Sequence, residues 1–220
     1  MKSLMKIKKI KLLTFDLDGT LIDSMPLYAE IATSLLQEYY GLDANHARVE
    51  YYRTSGVPFS QQLEKLFPDS SKNIKVAEEF EQKKSNFLLK NSFELSSEVQ
   101  HALAQLKILS VRIAISTSNT PDNLQALVGD WPVQFDAVLG YESENFQKGK
   151  SHFNFLSSFF DLKMKEILFI GDSLDDYRLA KEAGVCFAAV LGSFQAEDFK
   201  ALDPNILCLR DIPNLLECIV

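Results

Sequence analysis

Two aspartates, Asp16 and Asp18, follow the first apolar run of the chain and are separated from each other by one residue. The run, residues 10–15, is typical of a strand that is buried on both faces of a parallel sheet. Open α/β sheets bind ligands outside the carboxyl ends of such strands, and Gly19 allows the chain to turn sharply there. The pair therefore predicts a ligand site, although a strand-end turn with capping carboxylates is the simpler alternative.

Other predicted strands also end in polar residues. Residues 111–116 run into Thr117, residues 167–170 run into a segment that contains Asp172, and a weaker strand at 135–139 precedes two lysines. The carboxyl ends of parallel strands face one crevice, so these residues are expected to converge although they are far apart in sequence. The side chains expected at this crevice are Asp16, Asp18, Ser116, Thr117, Ser118, Lys148, Lys150, Asp172, Asp175 and Asp176.

This set of residue types suits phosphoryl chemistry. Crowded carboxylates repel one another unless a hard cation lies among them, and Mg²⁺ prefers oxygen ligands. One carboxylate can attack phosphorus as a nucleophile, and a second can protonate the leaving oxygen and later deprotonate a water. A lysine, a hydroxyl and the metal would offset the charge of the transferring group. The residues therefore predict a Mg²⁺ site beside a phosphate site.

The elements that must position these residues fall into two groups. Residues 23–90 carry apolar residues at helical spacing and show no strand pattern. Downstream of this segment strands alternate with helices, which predicts right-handed crossovers and a parallel sheet covered by helices on both faces. The predicted fold is α/β, a doubly wound parallel sheet formed by residues 1–22 and 92–220, with an all-helical cap domain inserted at 23–91.

Composition excludes several classes of protein. The chain has 220 residues, 46% of them hydrophobic and 24% charged, which is enough apolar material for a buried core. The net charge of −7 argues against a nucleic-acid partner. Its three unevenly spaced cysteines are typical of buried free thiols in a reducing compartment. The lysine-rich start is followed by too short an apolar stretch for an export signal, and no segment suits a membrane span. We therefore expect a soluble, cytoplasmic protein without a membrane partner.

Four motifs in this order resemble those of the haloacid dehalogenase-like (HAD) hydrolase superfamily. They are Asp16-Leu-Asp18-Gly-Thr20, the strand that ends in Thr117, a lysine after the third strand, and the segment from Gly171 to Asp176. The helical insertion is similar to the cap of subfamily I, which includes phosphoglycolate phosphatase and β-phosphoglucomutase. The resemblance covers nearly the whole chain.

The resemblance implies a role for each matching residue. Asp16 would be the nucleophile and a Mg²⁺ ligand, and Asp18 would be the general acid/base and bind the metal through its backbone carbonyl. Asp172 would complete the metal site, and Asp176 would hold that site through water or by contacting the metal's direct ligands. Thr117 would hydrogen-bond the phosphoryl oxygens. Backbone amides near the same group would come from Leu17, Asp18 and Ser118.

Other residues are expected to contact substrate or to support the site. Thr20 would support the loop after the first strand, and Ser118 and Asn119 lie in the loop after the second. Arg53, in a loop of the helical insertion, could reach a substrate anion, although a surface arginine is an equally good interpretation. Family members often carry Lys-Pro after the third strand, whereas this chain has Lys148-Gly-Lys150-Ser. Both lysines are candidates for the phosphate contact, with a slight preference for Lys150.

Several nearby residues have simpler interpretations. His152 is expected to be structural or exposed, and Asp175 to be a carboxylate at the start of a helix. The charged residues at 72–84 predict a solvated helix face. The phenylalanines at 153–160 are expected in the core.

The function expected from the sequence is a Mg²⁺-dependent phosphatase of small phosphorylated metabolites that works through an aspartyl-phosphate. A phosphomutase of the same superfamily is the alternative within enzymes, and a non-enzymatic binding module on the same fold is the alternative outside them. A phosphonate-cleaving enzyme would need a lysine in the cap, and this chain offers no obvious one. A dehalogenase would have no use for the metal ligands. The substrate is left open by the motifs, and a monomer and a homodimer are equally compatible with the sequence.

Overall fold

The computed structural model describes residues 9–88, 90 and 93–219. Its contacts divide the chain into two compact units. One unit comprises the chain up to Ile22 together with the part from Glu94 onward, and the other comprises Asp23–Phe93. The first unit carries the strands, and the second is helical.

Four helices make up the second unit: α1 (Met25–Tyr40), α2 (Ala44–Thr54), α3 (Phe59–Leu66) and α4 (Asn73–Leu88). Helix α1 ends at Gly41, whose φ of 72° is a left-handed conformation that glycine adopts without strain. The side chain of Asp43 caps α2 by accepting a hydrogen bond from the His46 N–H at 3.0 Å. Apolar and aromatic side chains fill the interior, where the rings of Phe59 and Phe80 stack with centroids 4.2 Å apart.

One expectation for this unit fails at a single residue. Residues 72–84 were expected to form a solvated face, and the other charged residues there are exposed or half-exposed, but Lys84 is only 7% exposed. Its ammonium lies 4.8 Å from the centre of the Tyr28 ring and 3.9 Å from Glu81 Oε2. A lysine can be buried in this way because its apolar stem packs against neighbours while the ring and the carboxylate offset its charge.

Six parallel strands form one sheet among the described residues, in the order β3-β2-β1-β4-β5-β6. They are β1 (Leu12–Phe15), β2 (Arg112–Ser116), β3 (Ala137–Leu139), β4 (Ile167–Gly171), β5 (Cys186–Val190) and β6 (Leu207–Leu209). Strand order reverses between β1 and β4, and β1 is buried along its whole length. This arrangement confirms the predicted doubly wound α/β fold, with its topological switch point beside β1.

The helices of this unit are α5 (Ser97–Ile108), α6 (Pro121–Val128), α7 (Lys150–Phe159), α8 (Leu174–Ala183), α9 (Ala196–Leu202) and α10 (Asn214–Ile219). Helix α9 was not predicted from the sequence. Phe153 of α7 lies in the core, edge to face with Phe169 of β4. Phe155 and Phe159 are 40% and 62% exposed and stack on each other at the surface, so the expectation that they are core residues is wrong. All three cysteines are free and half-buried.

No helix within the described part of the chain combines the length and the apolar character that crossing a bilayer requires.

Candidate active site

The register of the central strands brings three chain segments to one level. Phe15 of β1 pairs with Ile115 of β2 on one side and with Ile170 of β4 on the other. The residues that follow these three positions therefore lie side by side at the carboxyl edge of the sheet. Asp16 is the first of them, and its N–H donates to the Ile170 carbonyl at 2.8 Å.

Three buried carboxylates meet at this edge. Oxygens of Asp16, Asp172 and Asp176 lie within 4.8 Å of one another. Asp176 reaches the cluster from the first turn of α8, where Ser173 holds it in two ways. Ser173 Oγ accepts from the Asp176 N–H at 3.0 Å, and the Ser173 N–H donates to Asp176 Oδ2 at 3.3 Å. This reciprocal cap fixes the start of the helix and the direction of the carboxylate together.

Gly171 is needed for this close approach. A Cβ at this position would lie 2.5 Å from Asp176 Oδ2 and 2.7 Å from its Cγ. The absence of a side chain therefore lets the end of β4 pass against the Asp176 carboxylate.

Lys148 is the lysine that enters the carboxylate cluster. Its Nζ lies 2.8 Å from Asp16 Oδ1 and 2.6 Å from Asp176 Oδ1, and the residue is 8% exposed. Lys150 is the exposed first residue of α7, so the structure does not bear out the preference for Lys150 over Lys148. The intervening Gly149 has a φ of 108°, which a proline ring cannot adopt, so proline would not fit at this position of the chain.

The cluster places three carboxyl groups beside one ammonium group. Burial, partly opposed by the Lys148 ammonium, raises the pKa of Asp16 to about 7. Burial and the neighbouring carboxylates Asp16 and Asp176 raise the pKa of Asp172 well above its usual value. Burial alone would lower the pKa of Lys148, but the charges of Asp16 and Asp176 outweigh it and raise that pKa. Three carboxylates with one ammonium fit a divalent cation with oxygen ligands, because the cation would supply the missing positive charge.

Asp18 and Thr117 are joined by the side chain of Asn119. Asn119 Nδ2 donates to Asp18 Oδ2, and it also donates to Thr117 Oγ1 at 3.2 Å. The Asn119 N–H donates to the same hydroxyl at 3.3 Å. These bonds connect the loop after β1 to the loop after β2. Nothing in the sequence pattern indicates this connection, because it spans about a hundred residues and depends on how both loops turn.

The other candidate residues lie in different surroundings. Thr20 is buried in the loop after β1, and its hydroxyl has no hydrogen-bond partner among the described residues. Ser118 is half-exposed in the loop after β2. Arg53 belongs to the helical unit, where its guanidinium donates to Glu50 Oε2 from Nε at 2.9 Å and from Nη2. Asp175 pairs with Arg178 on α8, as expected of a carboxylate at a helix start.

A buried histidine supports the loop that carries Thr117. His152 Nε2 lies 3.1 Å from the Gly140 carbonyl, and its Nδ1 lies 2.9 Å from Ser116 Oγ. Because a carbonyl only accepts, Nε2 carries the proton and Nδ1 accepts from the Ser116 hydroxyl. Burial lowers the pKa of His152 to about 4. The sequence indicated a structural or exposed histidine, but it gave no sign of the Ser116 partner.

Comparison with known proteins agrees with this geometry. The family model of the haloacid dehalogenase-like hydrolases matches residues 13–190. The chain is 27% identical to a phosphoglycolate phosphatase from Vibrio cholerae, over 97% of this chain and 99% of that protein. It is 22% identical to a pyrophosphatase from Halalkalibacterium halodurans, over 96% and 97%. A HAD hydrolase of family IA from Entamoeba histolytica has the same fold, with a TM-score of 0.77 at 18% identity over 96% of this chain and 98% of that one. The resemblance expected from the motifs is thus confirmed, and the chain belongs to the haloacid dehalogenase-like hydrolase family.

Proposed function

We propose that this hydrolase is a Mg²⁺-dependent phosphatase of small phosphorylated metabolites and that Asp16 is its nucleophile. The observation that carries the proposal is the buried cluster at the end of β1, in which the Lys148 ammonium lies between Asp16 and Asp176. The phosphatases among its relatives support the same chemistry. Asp16, the backbone carbonyl of Asp18, Asp172 and, behind them, Asp176 would hold the metal.

The reaction divides into two transfers. In the first, an Asp16 oxygen bonds to phosphorus while the bond to the leaving oxygen breaks, and the carboxyl group of Asp18 gives its proton to that oxygen. In the second, the Asp18 carboxylate takes a proton from a water whose oxygen attacks phosphorus. Inorganic phosphate leaves, and the Asp16 carboxylate is restored. Protons and bonds balance over the two steps, so Asp18 ends in the state in which it began.

Two other side chains would act on the phosphoryl group. The Thr117 hydroxyl would donate to one of its oxygens, and the Lys148 ammonium would offset the charge that accumulates when Asp16 attacks. Bound Mg²⁺ would supply further positive charge for the phosphoryl oxygens. Lys148 also keeps one Asp16 oxygen in a fixed direction, which places the nucleophile before substrate arrives.

The test is a panel of phosphorylated metabolites together with p-nitrophenyl phosphate, assayed for released inorganic phosphate with Mg²⁺ and with EDTA. We expect Mg²⁺-dependent release by the wild type and its loss in Asp16→Asn. Asp175→Asn is the matched control, because it makes the same change on α8 outside the carboxylate cluster and should keep activity. An Asp16→Asn protein that retained most of its turnover would remove Asp16 from the nucleophile role. A phosphomutase would instead return the phosphoryl group to sugar and release little phosphate.

A further inference from the structure

Asn119 lies at a junction of the proposed site. It stands three residues beyond the end of β2, is 2% exposed, and donates from Nδ2 to both Asp18 Oδ2 and Thr117 Oγ1. The bond to Thr117 is buried, which keeps water from competing for it, and the bond to the half-exposed Asp18 is partly buried. The two groups that Asn119 Nδ2 contacts are thus the proposed acid/base, Asp18, and the proposed phosphoryl-binding hydroxyl, that of Thr117.

The backbone around Asn119 is fixed at both ends. Its carbonyl accepts from the Tyr141 N–H at 2.8 Å, and the Thr117 N–H donates to the Leu139 carbonyl at 3.0 Å. Both bonds tie the loop after β2 to the end of β3 and the residues that follow it. The Asn119 side chain therefore extends from an anchored backbone, which limits the directions that its two contacts can take.

The chemistry of the three groups settles which atoms donate. A carboxyl oxygen that carries no proton only accepts, so Asn119 presents its NH₂ group to Asp18 Oδ2, and a proton on Asp18 would be held by the other oxygen. The second hydrogen of that group goes to Thr117 Oγ1, which also accepts from the Asn119 N–H. Because the hydroxyl oxygen accepts from Asn119, its own hydrogen points elsewhere and is available for a phosphoryl oxygen. One amide thereby orients both groups.

We propose that Asn119 is a positioning residue that acts through Asp18 and Thr117, and that it sets the direction from which Asp18 delivers its proton. The inference rests on the proposed phosphatase function and deepens it. It also differs from the expectation from the sequence that Asn119 contacts substrate: both hydrogens of its NH₂ group are engaged within the protein, and its buried Oδ1, which has no partner among the described residues, cannot donate to a phosphoryl oxygen.

This role predicts an unequal loss between substrates. Alkoxide leaving groups need a proton in the transition state, whereas p-nitrophenolate departs as a stabilised anion and needs little help from a general acid. A misdirected Asp18 should therefore slow the first transfer from an alkyl phosphate much more than the first transfer from p-nitrophenyl phosphate. A residue that bound substrate directly would instead raise KM for both.

The experiment compares Asn119→Ala with wild type on p-nitrophenyl phosphate and on the best alkyl phosphate of the metabolite panel. We expect kcat/KM, which reports on the first transfer alone, to fall about 10²-fold on the alkyl phosphate and less than about 10-fold on the aryl phosphate, without a rise in KM. In an Asp18→Ala background, the same substitution should cause no more loss on the alkyl phosphate than the loss of less than about 10-fold that remains through Thr117. Equal losses on both substrates, a raised KM, or additive losses with Asp18→Ala would overturn the inference.

Two further variants keep the result interpretable. Asn123→Ala removes another buried asparagine, on α6 outside the proposed site, and should affect both substrates equally. Asn119→Ser retains a polar group at the buried position and replaces Asn119→Ala if that protein does not fold. Wild type that turned over both substrates while every Asn119 variant matched it would refute the positioning role alone. Wild type that released phosphate from neither would refute the phosphatase function and this inference with it.

Discussion

The Lys148 ammonium lies 2.8 Å from Asp16 Oδ1, and the pair is buried at the carboxyl end of β1. This contact distinguishes Lys148 from Lys150, which lies two residues further along the chain and makes no such contact with Asp16. Lys150 begins α7 and is exposed, whereas Lys148 turns inward because Gly149 bends the chain between them. A cation in this position both offsets the charge of Asp16, the proposed nucleophile, and limits its motion.

Replacement of Lys148 should therefore be far more damaging than replacement of Lys150. We expect Lys148→Met to lower kcat on p-nitrophenyl phosphate by about 10²-fold or more, because the charge on the phosphoryl group loses a preorganised partner. Lys150→Met makes the same change at the surface and should stay within about threefold of wild type. Steady-state kinetics of the two variants check this. A greater loss in the Lys150 variant would mean that the exposed lysine moves into the site during turnover.

Mg²⁺ should stabilise the fold through the same carboxylates. A ligand that binds only the folded state stabilises it by about 2.7 kcal/mol at a concentration one hundred times its Kd. We expect thermal unfolding to shift upward with added Mg²⁺ in wild type and in Asp175→Asn, and the shift to vanish in Asp172→Asn. Differential scanning calorimetry over a Mg²⁺ series measures it. An undiminished shift in the Asp172 variant would place the metal elsewhere.

The sequence predicted the ends of the central strands well and the side-chain contacts between loops poorly. Apolar runs mark β1, β2 and β4 because these strands are buried on both faces, and Asp16 and Asp172 follow from where the runs stop. Which lysine turns inward depends on one backbone dihedral at Gly149, and that dihedral has no signature beyond the glycine itself.

Long-range polar contacts likewise have no signature in the sequence pattern. The bond from Asn119 to Asp18 joins two loops of different strands, and the bonds of His152 join α7 to Ser116 and to Gly140. Periodicity describes which face of an element is buried, but it does not describe which polar groups meet on that face.

His152 should make stability fall in mild acid. The neutral ring is favoured in the folded protein, where its pKa is about 4 against 6.5 for an ordinary histidine. Between these values the unfolded chain binds more protons, so the contribution of His152 is complete above about pH 6.5 and is lost as the pH falls toward 4. The shift corresponds to about 3 kcal/mol. In His152→Asn this pH dependence disappears, so its stability gap to wild type should narrow from pH 7.5 to pH 5.

Urea unfolding of both proteins at several pH values measures that gap. The carboxylates of the site titrate in both proteins, and their contribution largely cancels in the difference. A gap that stayed constant or widened in acid would show that the His152 ring is not held neutral.

Gly171 should be irreplaceable because Asp176 occupies the space of its missing side chain. In Gly171→Ala the new methyl group would lie 2.5 Å from Asp176 Oδ2, so either β4 or the first turn of α8 must move. Overpacking of this kind costs about 1–3 kcal/mol, and displacement of the carboxylate should also weaken the stabilisation by Mg²⁺. Gly192→Ala is the matched control, since a Cβ there meets nothing within 4 Å. Calorimetry with and without Mg²⁺ should show a lower unfolding temperature and a smaller Mg²⁺ shift in Gly171→Ala only. Equal behaviour of the two variants would mean that Asp176 is free to move aside and is not held in place by the end of β4.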